Sequence, residues 1–209
     1  MWQKILFVIV TLAFAFAILL LSVFRTAAVK YELSGKSVSQ NDSMLGEGNA
    51  TIDYYLPYPG RVLPDNPFWF LKALRDKLWF SFTTNPTRKA ELLLLLADKR
   101  LGSAKILFEK GKNSEALSTL TKAEKYLEAA MVQERENRKQ SLDTSEFLVR
   151  IAKASLKHYQ LMQYIEKNVP DDIKPAVIVS QEYPKKVYEQ ARNSLLENGL
   201  TPPENPFGW

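Results

Sequence analysis

The sequence predicts an all-α protein: an N-terminal transmembrane helix followed by a soluble bundle of about five helices with a long antiparallel αα-hairpin. Three observations carry that expectation. Ile5 to Phe24 is an unbroken apolar run. Glycine is scarce, at 8 of 209 residues, while Lys, Glu, Leu and Ala dominate beyond residue 87, which is the composition of helical bundles. Ala116, Leu120, Ala123, Leu127 and Ala130 recur at spacings of four and three, the seam of two paired helices.

The apolar run, ILFVIVTLAFAFAILLLSVF over residues 5–24, contains neither charge nor proline. Twenty helical residues at ~1.5 Å each span roughly 30 Å, the hydrocarbon thickness of a bilayer. Lys4 and Arg25 bracket it, and Trp2 stands where an interfacial aromatic belongs. A signal peptide cleaved after Ala28 is the alternative, since Thr26-Ala27-Ala28 offers small residues. Against it, signal-peptide apolar regions typically run ~7–15 residues, and Arg25 intrudes before the cut. Counting Arg25, Lys30 and Lys36 against Lys4 pulls the C-terminal part towards the cytoplasm, but that rule is weak for long translocated domains. An apolar segment at the extreme N-terminus acts as an export signal, so residues 31–209 are expected outside the cytoplasm, on a single-pass cell-membrane anchor.

Behind the short segment 1–4 and the membrane helix 5–24, residues 25–52 read as a flexible linker, polar and bearing Gly, Ser and Asn. The helical domain is expected over 53–199, and a Pro-rich tail over 200–209. Residues 53–66 form a Pro/Tyr-rich strap, in which Pro57, Pro59 and Pro64 forbid a regular helix and Pro59-Gly60 favours a type II turn. Its tyrosines and leucines are expected to be largely buried on the helices. The first helix starts near Pro67, capped by Asp65 or Asn66, with Phe68, Leu71, Leu74, Leu78 and Phe82 as its core side and Trp69, Phe70, Trp79 and Phe80 widening the stripe. Asn85-Pro86 starts a second helix, whose five leucines at 92–96 place it at the centre of the bundle, and Gly111 ends it. The third helix carries the seam, and its polar end QERENRKQ is expected to project into solvent. Asp143-Thr144-Ser145-Glu146 resembles a capping box opening the fourth helix. A fifth helix over about 171–198 is kinked or split at Pro184 and stopped by Gly199.

The net charge of +5 arises from cations interleaved with acids, as in Glu134-Arg135-Glu136, which marks solvated helix faces. A nucleic-acid surface would need a stripe of one sign, so no nucleic-acid partner is expected. With no cysteine and one histidine, His158, metal sites lack raw material, and His158 reads as a packed histidine on the Ile151/Ala154/Met162 face. The Asp171/Asp172 and Glu134/Glu136 pairs read as a helix start and a solvated face. Phosphate loops, nucleophile elbows and zinc-protease motifs are absent from the sequence. An enzyme is therefore not expected, nor are catalytic residues, cofactors or metal ligands. The candidate ligand or partner surface is aromatic: Tyr54, Tyr55, Tyr58, Trp69 and Trp79, which serve either as core or as a groove between strap and first helix.

Taken together, Tyr55-Leu-Pro-Tyr-Pro-Gly60, Leu63-Pro64-Asp65-x-Pro67, Leu71-Lys72, Arg75-Asp76, Lys89-Ala90-Glu91 and Ala97-Asp98-Lys99-Arg100-Leu101 resemble an uncharacterised bacterial domain-of-unknown-function family. Such domains follow an N-terminal membrane helix or signal peptide. The resemblance covers about residues 54–130, leaves 140–209 unmatched, and implies bacterial origin, export and a helical domain without catalytic residues.

The functional expectation is a membrane-tethered extracytoplasmic interaction, scaffold or sensor domain with an envelope-protein partner. The alternative is a small-ligand or peptide-binding module using the aromatic groove.

Overall fold

A computed structural model describes residues 52–209 continuously, together with scattered helical positions between Trp2 and Ile18. Most of the expected transmembrane helix, the linker and the cleavage site after Ala28 lie outside the described residues. Among those described, no helix is long and apolar enough to cross a membrane.

Six helices make up the domain: α1 (Trp69–Phe82), α2 (Pro86–Glu109), α3 (Asn113–Lys139), α4 (Ser145–Asn168), α5 (Lys174–Ser180) and α6 (Glu182–Glu197). The all-α expectation holds, and the fifth helix is split in two just ahead of Pro184. The α2–α3 hairpin is the most extensive pairing, and α4 and α6 pack against each other and onto it. Leu101, Ala104, Leu120 and Ala123 form one core cluster, while Leu93, Ala97 and Leu127 join α4 and α6 residues in another, so the seam lies where its spacing put it.

Local chemistry explains the ends. Asn85 Oδ1 accepts the Arg88 N–H at 3.0 Å, satisfying a donor that the first turn of α2 leaves free, and Pro86 fills the first helical position. The hairpin turns at Gly111, whose φ of +71° only glycine adopts freely. There the Lys112 N–H reaches back to the Leu107 carbonyl and the Gly111 N–H to Phe108, the paired bonds of a Schellman stop.

Four expectations require correction. On α1, Phe68, Leu71, Leu74 and Phe82 are 46–64% exposed, whereas Asp76 and Trp79 are buried; the helix turns its other side inward. At the end of α3, Glu134 and Asn137 are buried because α2, α4 and α6 all converge there. Asn137 Nδ2 donates to the Pro86 carbonyl at 3.1 Å, and Arg138 pairs with Glu197 at 3.3 Å. Thr144 makes no cap to α4; its hydroxyl donates to Glu134 Oε1 at 2.8 Å instead. The strap is buried only in part, since Tyr55 and Tyr58 are 75% and 65% exposed.

The tail folds back on the bundle. The Tyr188 hydroxyl donates to the Pro203 carbonyl at 2.6 Å, and Phe207 and Trp209 pack edge-on against Tyr159, with centroids at 4.9 and 5.2 Å.

Candidate functional site

The aromatic residues singled out by the sequence lie along the strap and the α1–α2 junction, where they meet different surroundings. The strap, residues 53–66, has no ladder of its own, because three prolines remove donors. Lys72 on α1 supplies the missing donors: its Nζ lies 2.7 Å from the Pro59 carbonyl and 3.0 Å from that of Val62. Between them Gly60 takes φ +92°, as a Pro-Gly type II turn demands. Burial holds the Lys72 pKa below its usual range, and the neighbouring cations Arg75, Lys99 and Arg100 act in the same direction against the attraction of Asp76. Arg75 reaches no strap carbonyl and binds Asp76 at 2.7 Å. Asp65 instead meets Lys110 and Lys112 at the hairpin turn, at 3.3 and 3.7 Å.

Of the five aromatics, Trp79 is buried against Leu92, Leu95 and Leu96. Trp69 is half-buried, with the Lys72 ammonium 4.7 Å and the Arg100 guanidinium 5.5 Å from its ring. Arg100 also faces Tyr126 at 5.0 Å, so one cation bridges α1 and α3 across α2. Asp53 to Leu56 alternate between exposed and half-buried, as in an extended segment, with Tyr54 inward and Tyr55 outward; the alternation breaks at Pro57, and Tyr58 turns outward.

Tyr54 leads to a polar cluster that the sequence did not reveal. Its hydroxyl donates to Asp98 Oδ2 at 2.7 Å; Asp98 Oδ1 lies 3.0 Å from His158 Nε2, and Glu124 Oε1 lies 2.8 Å from His158 Nδ1. The cluster joins the strap, α2, α3 and α4, and His158 and Glu124 have no exposed surface. Burial alone would depress the imidazole, but the Glu124 charge and the hydrogen bonds to both carboxylates outweigh it and raise the His158 pKa to about 9. The ring is therefore an imidazolium at neutral pH, donating from both nitrogens. Burial, and then the Asp98 carboxylate, push the Tyr54 phenol well above 10, so it stays a neutral donor.

Chemically the cluster stores a proton and ties four segments together. Both ring nitrogens are engaged and the ring is sealed from solvent, which gives no substrate a path to it. Among the described residues, no three His, Asp or Glu side chains are grouped to hold a metal ion. A signal for the cluster does exist in the sequence. Asp98 directly follows the apolar run Leu92–Ala97, and Glu124 sits on the α3 stripe between Leu120 and Leu127; acids in such positions need buried partners.

The family model for a domain of unknown function, DUF5667, matches residues 61–172. The match takes in α1 to α4 and, with them, Asp98, Glu124 and His158. It starts just after the YLPYPG stretch and runs well past residue 130, where the resemblance read from the sequence stopped. Comparison with curated proteins and with solved structures finds no match.

Proposed function

We propose that this chain, which belongs to the DUF5667 family of unknown function, is a membrane-tethered extracytoplasmic interaction domain and not an enzyme. One observation carries the reading. In the apolar N-terminal segment the described side chains Leu6, Phe7, Val10, Leu12, Phe14, Phe16 and Ile18 are all more than half exposed and are absent from every core cluster of the domain. Side chains of that kind, in a run of twenty uncharged residues, find their apolar surroundings in a bilayer. The exposed Arg135, Glu136 and Lys139 on the last turns of α3 offer polar contacts for an envelope protein.

The anchor is tested by alkaline carbonate extraction of native membranes followed by mass measurement of the retained chain. A pelleted chain that still carries Trp2 is expected. A soluble chain beginning at Val29 would contradict the tether.

A second reading, a binding module for a peptide or small ligand, draws on Tyr55 and Tyr58, whose exposure on a strap pinned by Lys72 leaves two rings free to stack on a guest. Replacing both with Ser would abolish binding under this reading and leave partner capture by α3 intact under the first.

A further inference from the structure

The outward side of α1 is an apolar face that the bundle leaves uncovered. At ~100° per residue, Phe70, Leu74, Leu78 and Leu71 fall within a sector about 100° wide. Phe70, Leu71 and Leu74 are 47–62% exposed and Leu78 is half-buried. Trp69, Lys72, Asp76 and Trp79 occupy the opposite side and fasten the helix to the strap and α2. The apolar sector is bordered by Lys77 on one edge and Arg75 on the other. The only acid of α1, Asp76, is buried and neutralised by Arg75. From Arg61 to Lys89 the chain carries six cations and two acids, so most of the net charge of the protein is concentrated around this helix.

We propose that α1 docks in the plane of an anionic bilayer, its Phe70/Leu71/Leu74/Leu78 side among the acyl chains and its bordering cations at the headgroups. An apolar sector flanked by long basic side chains suits that position, because Lys and Arg stems lie along the apolar layer while their charges stay at the headgroups. The inference rests on the tether reading, which also supplies proximity. Twenty-seven residues separate Phe24 from Ile52 in the sequence, and a free chain of that length would span roughly 30 Å. At that distance α1 meets the bilayer as an intramolecular partner, and a short helix that would bind weakly from solution is held at the surface. Docking makes α1 a second fixed point on the membrane, and it sets the orientation of the bundle towards its partner.

The chain lacks cysteine, so the full-length protein accepts a single nitroxide at Leu74→Cys, or at Asn193→Cys on the exposed side of α6 as a reference. In vesicles of mixed zwitterionic and anionic phospholipid, the label at 74 should collide with oxygen and be shielded from a water-soluble nickel complex, while the label at 193 stays open to nickel. Lys77→Glu replaces a cation with an anion, which at ~1 kcal/mol per charge should lower the docked-to-free ratio roughly 30-fold. Equal nickel access at 74 and 193 would overturn the proposal, as would a docked fraction indifferent to Lys77→Glu. Dipolar coupling between labels at 74 on separate chains would also overturn it, assigning the face to a second copy. Carbonate extraction of the same vesicles scores the anchor separately, so loss of the tether and loss of docking are distinguished.

Discussion

The Lys72 ammonium lies 2.7 Å from the Pro59 carbonyl, thirteen residues earlier, and that contact holds a proline-rich strap to the first helix of the bundle. Its second bond, to Val62 at 3.0 Å, closes the loop around Gly60. Lys72→Met keeps the aliphatic stem and removes both bonds. Hydrogen bonds from a charged donor are each worth about 1.5–3 kcal/mol. Limited proteolysis should then cut the variant between Tyr55 and Val62, where the parent resists.

Gly60→Val tests the same strap through its backbone. A β-branched residue at φ +92° is strained whatever space surrounds it, and a Cβ there would stand 3.5 Å from Lys72 Nζ. Destabilisation by about 1 kcal/mol or more is expected in urea unfolding. Gly111→Ala, also at positive φ but with nothing within 4 Å of the added carbon, isolates the backbone cost alone.

The buried His158 makes stability depend on pH. Its pKa is raised in the folded state from 6.5 to about 9, so the folded protein binds the proton more tightly than the unfolded chain. The contribution is complete below about pH 6.5 and is lost as pH climbs through about 9. The raised Tyr54 phenol acts in the same direction at still higher pH. Urea midpoints should therefore fall between pH 6.5 and 9, and this is the chain's only histidine. His158→Leu should remove that slope and destabilise the fold by about 3–5 kcal/mol, because Glu124 and Asp98 would remain buried without their partner.

In the α2–α3 seam, Leu120 is fully buried beside Leu101 and Ala104. Leu120→Ala should cost about 2–5 kcal/mol by thermal or chemical unfolding. At the far end of α3, Thr144→Val strips the buried Glu134 of its hydroxyl donor, with an expected loss of about 1–3 kcal/mol.

What the sequence disclosed and what it concealed divide along a physical line. Caps, stops and seams are local, so Asn85, Gly111 and the four-three spacing of α3 revealed the hairpin directly. The α1 error has a different origin. That helix is apolar on two sides, and periodicity shows which residues share a side without showing which side meets the bundle. Lys72 and Asp76 are the residues that decide it, by facing inward to the strap and α2. Local pattern marks Asp98 and Glu124 as acids in apolar positions, but it does not pair them with His158, because they lie 60 and 34 residues away from it. The burial of Glu134 is hidden for the same reason: its sequence neighbours are polar, but Thr144, ten residues on at the start of α4, covers it. Of the five aromatics, Tyr54 and Trp79 are explained by packing, whereas Tyr55 and Tyr58 remain available for contact.

The placement of the domain outside the cytoplasm is the claim on which the functional account turns. A reporter that is active only in the cytoplasm, fused after Trp209 of the full chain, measures it directly. The account predicts that the fusion is made, stays with the membrane and is silent. Full reporter activity would put residues 31–209 in the cytoplasm and contradict it.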